Sequence, residues 1–333
     1  MVTCASAFRV VLLATACSLV QGRIIGGQGQ FRFEYVPEKL QMPVGTNVQD
    51  AHGWAVDAER NIYLTYAPAG SDKNCLVRWA PDGTNGTLIG PGAALSAGTP
   101  HGLRLAKEGS SYFLYHANNG QALHKTTLDG EIVWSRHGPP SNDTRFLPNK
   151  PTWFATPPDS KYIYMADGYG SNYIHVYTTD GEYTGKSYGG RGTELGKFST
   201  CHSINYDPRV DKLVVTDREN HRHQYFDFDA GSPDKFEYSS TFTVQELQRP
   251  CNIRLDYGDS YAVVASLEGP VGILDSGNQL VSLVNVSGLL GAKGHLHPHD
   301  ATFLPNGDMV VCTWNPGRIS YWRRLPNEGD LVV

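Results

Sequence analysis

Three histidines stand in matching short contexts, Pro100-His101-Gly102, Cys201-His202-Ser203 and Pro298-His299-Asp300. Three imidazoles suit a catalytic zinc, which takes three protein ligands and keeps a further position open for water or substrate. Two other stretches carry chemistry: Asp167-Gly168-Tyr169-Gly170 offers a phenol between glycines, and Asp217-Arg218-Glu219-Asn220 a guanidinium beside acidic groups. A phenol near a divalent metal serves as a base, because nearby positive charge lowers its pKa. An arginine clamps a carboxylate through two parallel hydrogen bonds. Each feature also has a plainer reading. The histidines would hydrogen-bond a neighbouring element, Tyr169 would pack as an aromatic, and Asp217 with Arg218 would form an ion pair between elements.

An internal repeat positions these residues. Six segments match one another: AHGWAVD (51–57), PHGLRLA (100–106), PTWFATP (151–157), CHSINYD (201–207), PCNIRLD (250–256) and PHDATFL (298–304). Their second residues fall at 52, 101, 152, 202, 251 and 299, so the steps are 49, 51, 50, 49 and 48. An apolar run follows each segment, such as Lys212-Leu213-Val214-Val215, and alternation with polar residues marks it as a strand. Fifteen residues after each second residue comes a corner, at Ala67, His116, Asp167, Asp217, Ser266 and Trp314. Turns such as Asp129-Gly130 and Asp180-Gly181 then reverse the chain. Repeats of about forty to fifty residues with about four strands each predict a β-propeller, since solenoid repeats are shorter.

The fold expected is therefore all-β, a six-bladed propeller over residues 51–333, with 23–50 supplying an outer strand around Phe31–Tyr35 that closes the ring. The first strand of each blade lines the channel, so His52, His101, Thr152, His202, Cys251 and His299 are candidates for the axis. Histidines of blades two, four and six would be related by a rough threefold rotation. His52 breaks that pattern and reads as structural, as does Cys251, for which a disulfide to Cys201 is one option.

The 333 residues carry a net charge of -5 and no basic stripe with interleaved aromatics, which argues against nucleic-acid binding. Residues 1–22 read as a secretory signal: Arg9 precedes an apolar run from Val10 to Val20 that is too short to span a bilayer. Cleavage would follow Ala16 or Gly22, and no membrane span is expected in the chain that remains. Asn85, Asn142 and Asn285 begin glycosylation triplets. Cys4 and Cys17 leave with the signal, and Cys75, Cys201, Cys251 and Cys312 have three possible pairings as two disulfides. In the cluster His295-Leu296-His297-Pro298-His299, the repeat register turns only His299 to the axis. His221 and His223 flank Arg222 on an expected exposed turn.

Taken together, the openings at His101, His202 and His299 and the corners Ala166-Asp167-Gly168-Tyr169 and Thr216-Asp217-Arg218-Glu219-Asn220 resemble the peptidyl-α-hydroxyglycine α-amidating lyase family. That family is built on a six-bladed propeller of NHL-like repeats, and the likeness runs from about residue 45 to the end. It implies a secreted lyase that splits a small hydroxyglycine-extended peptide into a peptide amide and glyoxylate. It also implies zinc on His101, His202 and His299, with Tyr169 as base and Arg218 binding substrate. A structural calcium is implied on the carbonyls of Trp54 and Leu103 and the carboxylate of Asp300. The chain departs from the family at Ala67, where a second substrate arginine belongs, at Gly170 and Val214 in place of cysteines, and at His297 in place of methionine. Two other readings use the same scaffold: a non-catalytic extracellular propeller that binds a protein or glycan, and a metal-dependent esterase or lactonase.

Overall fold

The computed structural model describes residues 22–140, 142–255, 260–291 and 294–326. The expected signal segment, with Cys4 and Cys17, lies outside the described residues apart from Gly22. Six antiparallel sheets make six propeller blades. Blade one comprises Val48–Val56, Ile62–Pro68, Leu76–Trp79 and Thr87–Leu88. Blades two to five repeat this order from innermost strands Pro100–Glu108, Trp153–Ala155, Cys201–Asp207 and Pro250–Arg254. Blade six runs outward through His297–Phe303, Met309–Trp314 and Arg318–Arg324.

The first and last described strands share that last blade. Phe31–Tyr35 pairs with Arg318–Arg324, with Phe33 opposite Arg324 and Tyr35 opposite Trp322, and Ile25–Gln28 adds a fifth strand. The N-terminal segment thus contributes two strands, and the first channel strand begins at Val48, ahead of residue 51.

Alternation along the strands sends one set of side chains to each face of each sheet. The apolar sets meet between blades, so six hydrophobic clusters fill the six interfaces. Ala55, Tyr63 and Leu76 of blade one pack on Leu103 and Leu114 of blade two, and Phe31, Phe33 and Trp322 of blade six pack on Val263 and Ile273 of blade five. Trp54, Trp79, Trp153 and Trp322 are fully buried, each worth about 1.5–3 kcal/mol of burial. The innermost strands touch one another around a closed ring, which brings residues far apart in sequence onto one axis.

All four described cysteines are free and buried, so the expected disulfides, including Cys201 to Cys251, do not form. Strand alternation gives the reason. Cys201 precedes a channel-facing histidine and points into the core between blades three and four, whereas Cys251 occupies the channel-facing position itself. His223 departs from the expected turn: it is buried within Arg222–Asp229, stacked on Phe242 at 4.7 Å.

Candidate metal centre

The channel-facing histidines come together. Ring centres lie 5.0 Å apart for His101 and His202, 4.6 Å for His101 and His299, and 4.7 Å for His202 and His299. Each ring is tethered the same way to an inner strand ahead of it around the ring. Nδ1 of His101 donates to the Thr152 carbonyl at 2.8 Å, that of His202 to the Cys251 carbonyl at 2.7 Å, and that of His299 to the His52 carbonyl at 2.8 Å. A carbonyl only accepts, so each Nδ1 carries the proton and each Nε2 presents a lone pair. Carbonyls that accept from the far ring nitrogen orient metal-binding imidazoles in this way. Gly102 permits one tether, because a Cβ there would collide with the Thr152 carbonyl.

Nε2 of His101 and of His299 is buried and has no hydrogen-bond partner among the described residues. Leaving such an atom unpaired costs about 1–3 kcal/mol, and a metal ion would satisfy it. Burial, followed by neighbouring imidazoles for His101, by Arg218 for His202 and by His52 for His299, pushes all three pKa values well below the ordinary histidine value. The rings are neutral, as metal ligands must be.

His52, whose expected role is structural, stands in the same cluster. Its ring stacks on His101 at 4.7 Å and meets His299 edge-on at 4.9 Å. His52, His101 and His299 each present a ring nitrogen within 4.8 Å of the other two, a group able to hold a metal. Cys251 also faces the channel. Its thiol lies beside the Arg218 guanidinium, and burial holds its pKa up at about 11. Thr152 instead supports the neighbouring corner, its hydroxyl accepting from the Gly168 backbone N–H at 3.2 Å.

Two corners complete the rim. Asp167 builds the first, accepting from the Ser171 backbone N–H at 2.7 Å. Gly168 and Gly170 serve close packing rather than exposure of the phenol, since a Cβ would strike the Cys201 carbonyl or the Asp167 carboxylate. Tyr169 is consequently half-buried, and its hydroxyl lies 2.9 Å from His202 Nε2. Asp217 builds the second corner, accepting from the Ser199 N–H at 2.7 Å and from Arg222 Nε at 2.8 Å. Asp217 therefore pairs with Arg222, while Arg218 pairs with Glu219 at 2.9 Å and faces the site.

Arg218 donates to the Tyr169 oxygen at 3.1 Å, and its guanidinium carbon stands 5.3 Å from the Tyr169 ring centre. Burial pushes the Tyr169 phenol up and the Arg218 charge opposes it. A second arginine, Arg249 of the loop entering blade five, shares the Glu219 carboxylate with Arg218, at 2.7 Å and 2.9 Å respectively. Blade one contributes no cation here, as its corner residue Ala67 is buried.

The expected calcium ligands also converge, but they enclose a side chain. Arg254 bonds Asp300 through Nη2 at 2.7 Å and Nε at 3.1 Å, reaches the Leu103 carbonyl at 3.5 Å, and donates closely to the Trp54 carbonyl. Asn252 and the Trp54 N–H complete the partners of Asp300 at 2.7 Å and 2.8 Å. A calcium ion would need the oxygens that this guanidinium occupies, and would sit against its charge. The set does not fit calcium. Position 254 lies within a matched segment, yet nothing in the repeat shows that its side chain crosses the channel.

With this geometry in hand, comparisons with known proteins point to a distant kinship. The peptidylglycine alpha-amidating monooxygenase of Rattus norvegicus is 29% identical over 140 residues, which cover 39% of this chain and 14% of the relative. The Xenopus laevis enzyme A is 28% identical over 142 residues, covering 40% and 14%. The chain thus matches about a seventh of the length of these curated relatives. No family model matches it. A streptogramin B lyase structure superposes with a TM-score of 0.60 at 12% identity, over 87% of this chain and 97% of that one. Virginiamycin B lyase from Staphylococcus aureus gives 0.54 at 15% identity, over 85% and 87%. At such identities the structural likeness shows the propeller fold alone.

Each exposed glycosylation candidate, Asn85, Asn142 and Asn285, lies at the surface. No helix among the described residues is long and apolar enough to cross a membrane.

Proposed function

We propose that this chain is a secreted, zinc-dependent lyase of the amidating type, converting a hydroxyglycine-extended peptide into a peptide amide and glyoxylate. The observation that carries the reading is the meeting of His101, His202 and His299 with Tyr169 and Arg218 in one cluster on the axis. Distant similarity to the amidating monooxygenases supports it. His101, His202 and His299 would hold the zinc. Bound there, zinc supplies Lewis acidity toward a substrate oxygen.

The protein's own groups do the rest. Arg218 pairs with the substrate carboxylate and orients it. The Tyr169 oxygen, once its own proton has left to solvent, takes the proton of the α-hydroxyl. The carbon–nitrogen bond breaks with its electron pair passing to nitrogen, which takes that proton from Tyr169 to give the amide, and the hydroxyl-bearing carbon becomes the aldehyde of glyoxylate. Surface positions of Asn85, Asn142 and Asn285 suit glycosylation in a secretory compartment.

Zinc-replete protein incubated with α-hydroxyhippurate should release benzamide and glyoxylate in equal amounts. Arg218→Ala should raise KM by about tenfold or more, since a hydrogen bond to a charged group is worth about 1.5–3 kcal/mol. Absence of glyoxylate from zinc-replete protein sinks the assignment. One observation favours a second reading, metal-dependent cleavage of another substrate such as an ester or lactone. The blade-one corner carries buried Ala67 and offers the substrate no cation. Turnover of such a substrate without glyoxylate release would select it.

A further inference from the structure

The three-histidine reading leaves one imidazole of the cluster without a task. His52 is 2% exposed and sits between His101 and His299. Its Nδ1 is left buried with no hydrogen-bond partner among the described residues. Three neighbouring rings, His52, His101 and His299, therefore each hold an unpartnered nitrogen. The lone pair of His202 is engaged by the Tyr169 hydroxyl. A lone histidine in a core ordinarily satisfies both ring nitrogens. Here three neighbouring rings each leave one unsatisfied, and one bound cation would resolve all three.

We infer that His52 is a fourth imidazole donor of the metal centre, making it a four-histidine site. This rests on the reading of the cluster as a metal site. His52 would occupy the position that three histidines leave open. His202, whose lone pair Tyr169 also engages, is then the most weakly committed of the four.

The test is metal binding by the intact chain, with Co(II) as probe. Chelator competition gives its affinity, and the visible d–d absorption reports the donor set. Losing a residue that only orients a ligand costs about 10–100-fold in affinity. His52→Ala should therefore weaken Co(II) binding by more than about a hundredfold and change the absorption bands. His297→Ala should do neither, because His297 is spent on the Leu267 carbonyl at 2.9 Å. His52→Asn, which keeps a polar side chain at the position, guards against a folding defect and should behave like His52→Ala.

If both His52 variants keep wild-type affinity and spectrum while His101→Ala and His299→Ala lose the metal, His52 is no ligand. If the folded wild type binds no stoichiometric Co(II) or zinc, the metal reading fails along with it.

Discussion

Tyr169 answers to two neighbours at once. Its hydroxyl donates to the His202 lone pair and accepts from Arg218, so the phenol is placed by a candidate ligand on one side and a cation on the other. Burial alone would leave it a poor base, and the guanidinium beside it works in the opposite direction. Tyr169→Phe keeps the ring that packs on His101 at 5.2 Å and removes only the oxygen. This variant should lose about 10²–10⁴ in kcat, the usual worth of a positioned proton acceptor, while retaining its zinc. Glyoxylate release measured beside metal content checks this. Full activity in the phenylalanine variant would remove Tyr169 from the chemistry.

At the level of elements, the innermost strands stack the channel in layers. Histidines form one layer, and two residues further along blades one and two the Trp54 and Leu103 carbonyls form the next, closed by Arg254 and Asp300. Both partners are nearly inaccessible, so removing one leaves an uncompensated buried charge, a loss of about 3–5 kcal/mol. Arg254→Ala should lower the unfolding midpoint accordingly. Calcium added to that variant should raise it again, because the vacated oxygens are hard donors. The wild type should unfold at the same temperature with calcium or with a calcium chelator. A chelator-sensitive wild type would mean that calcium, and not Arg254, holds the layer.

Across the whole molecule, stability comes from six blade interfaces and from the first and last described strands sharing one sheet. Buried neutral histidines tie that stability to pH. Burial drives His116 and His223 from 6.5 down to about 3. Their unfolded forms bind protons first as acid is added, so the full contribution is present above 6.5 and drains as pH falls toward 3, by up to about 1.4 kcal/mol per unit for each group. Thermal midpoints of metal-free protein should thus drop steadily from pH 7 to pH 4.5, and a flat profile would contradict their burial. The repeat step of about fifty residues and the turn chemistry were enough to specify six blades, because period-two alternation and Asp-Gly turns act locally. The same register named the axial positions, so His101, His202, His299, Tyr169 and Arg218 were legible as candidates. What sequence left undecided depended on contacts between blades. Whether His52 joins the cluster is set by ring stacking across the axis, and the fate of the cysteines by which face of a strand each one takes. The long reach of Arg254 into a ring of carbonyls follows only once the strands have closed around it. Local patterning determined the scaffold; side chains meeting across the channel decided what the centre holds.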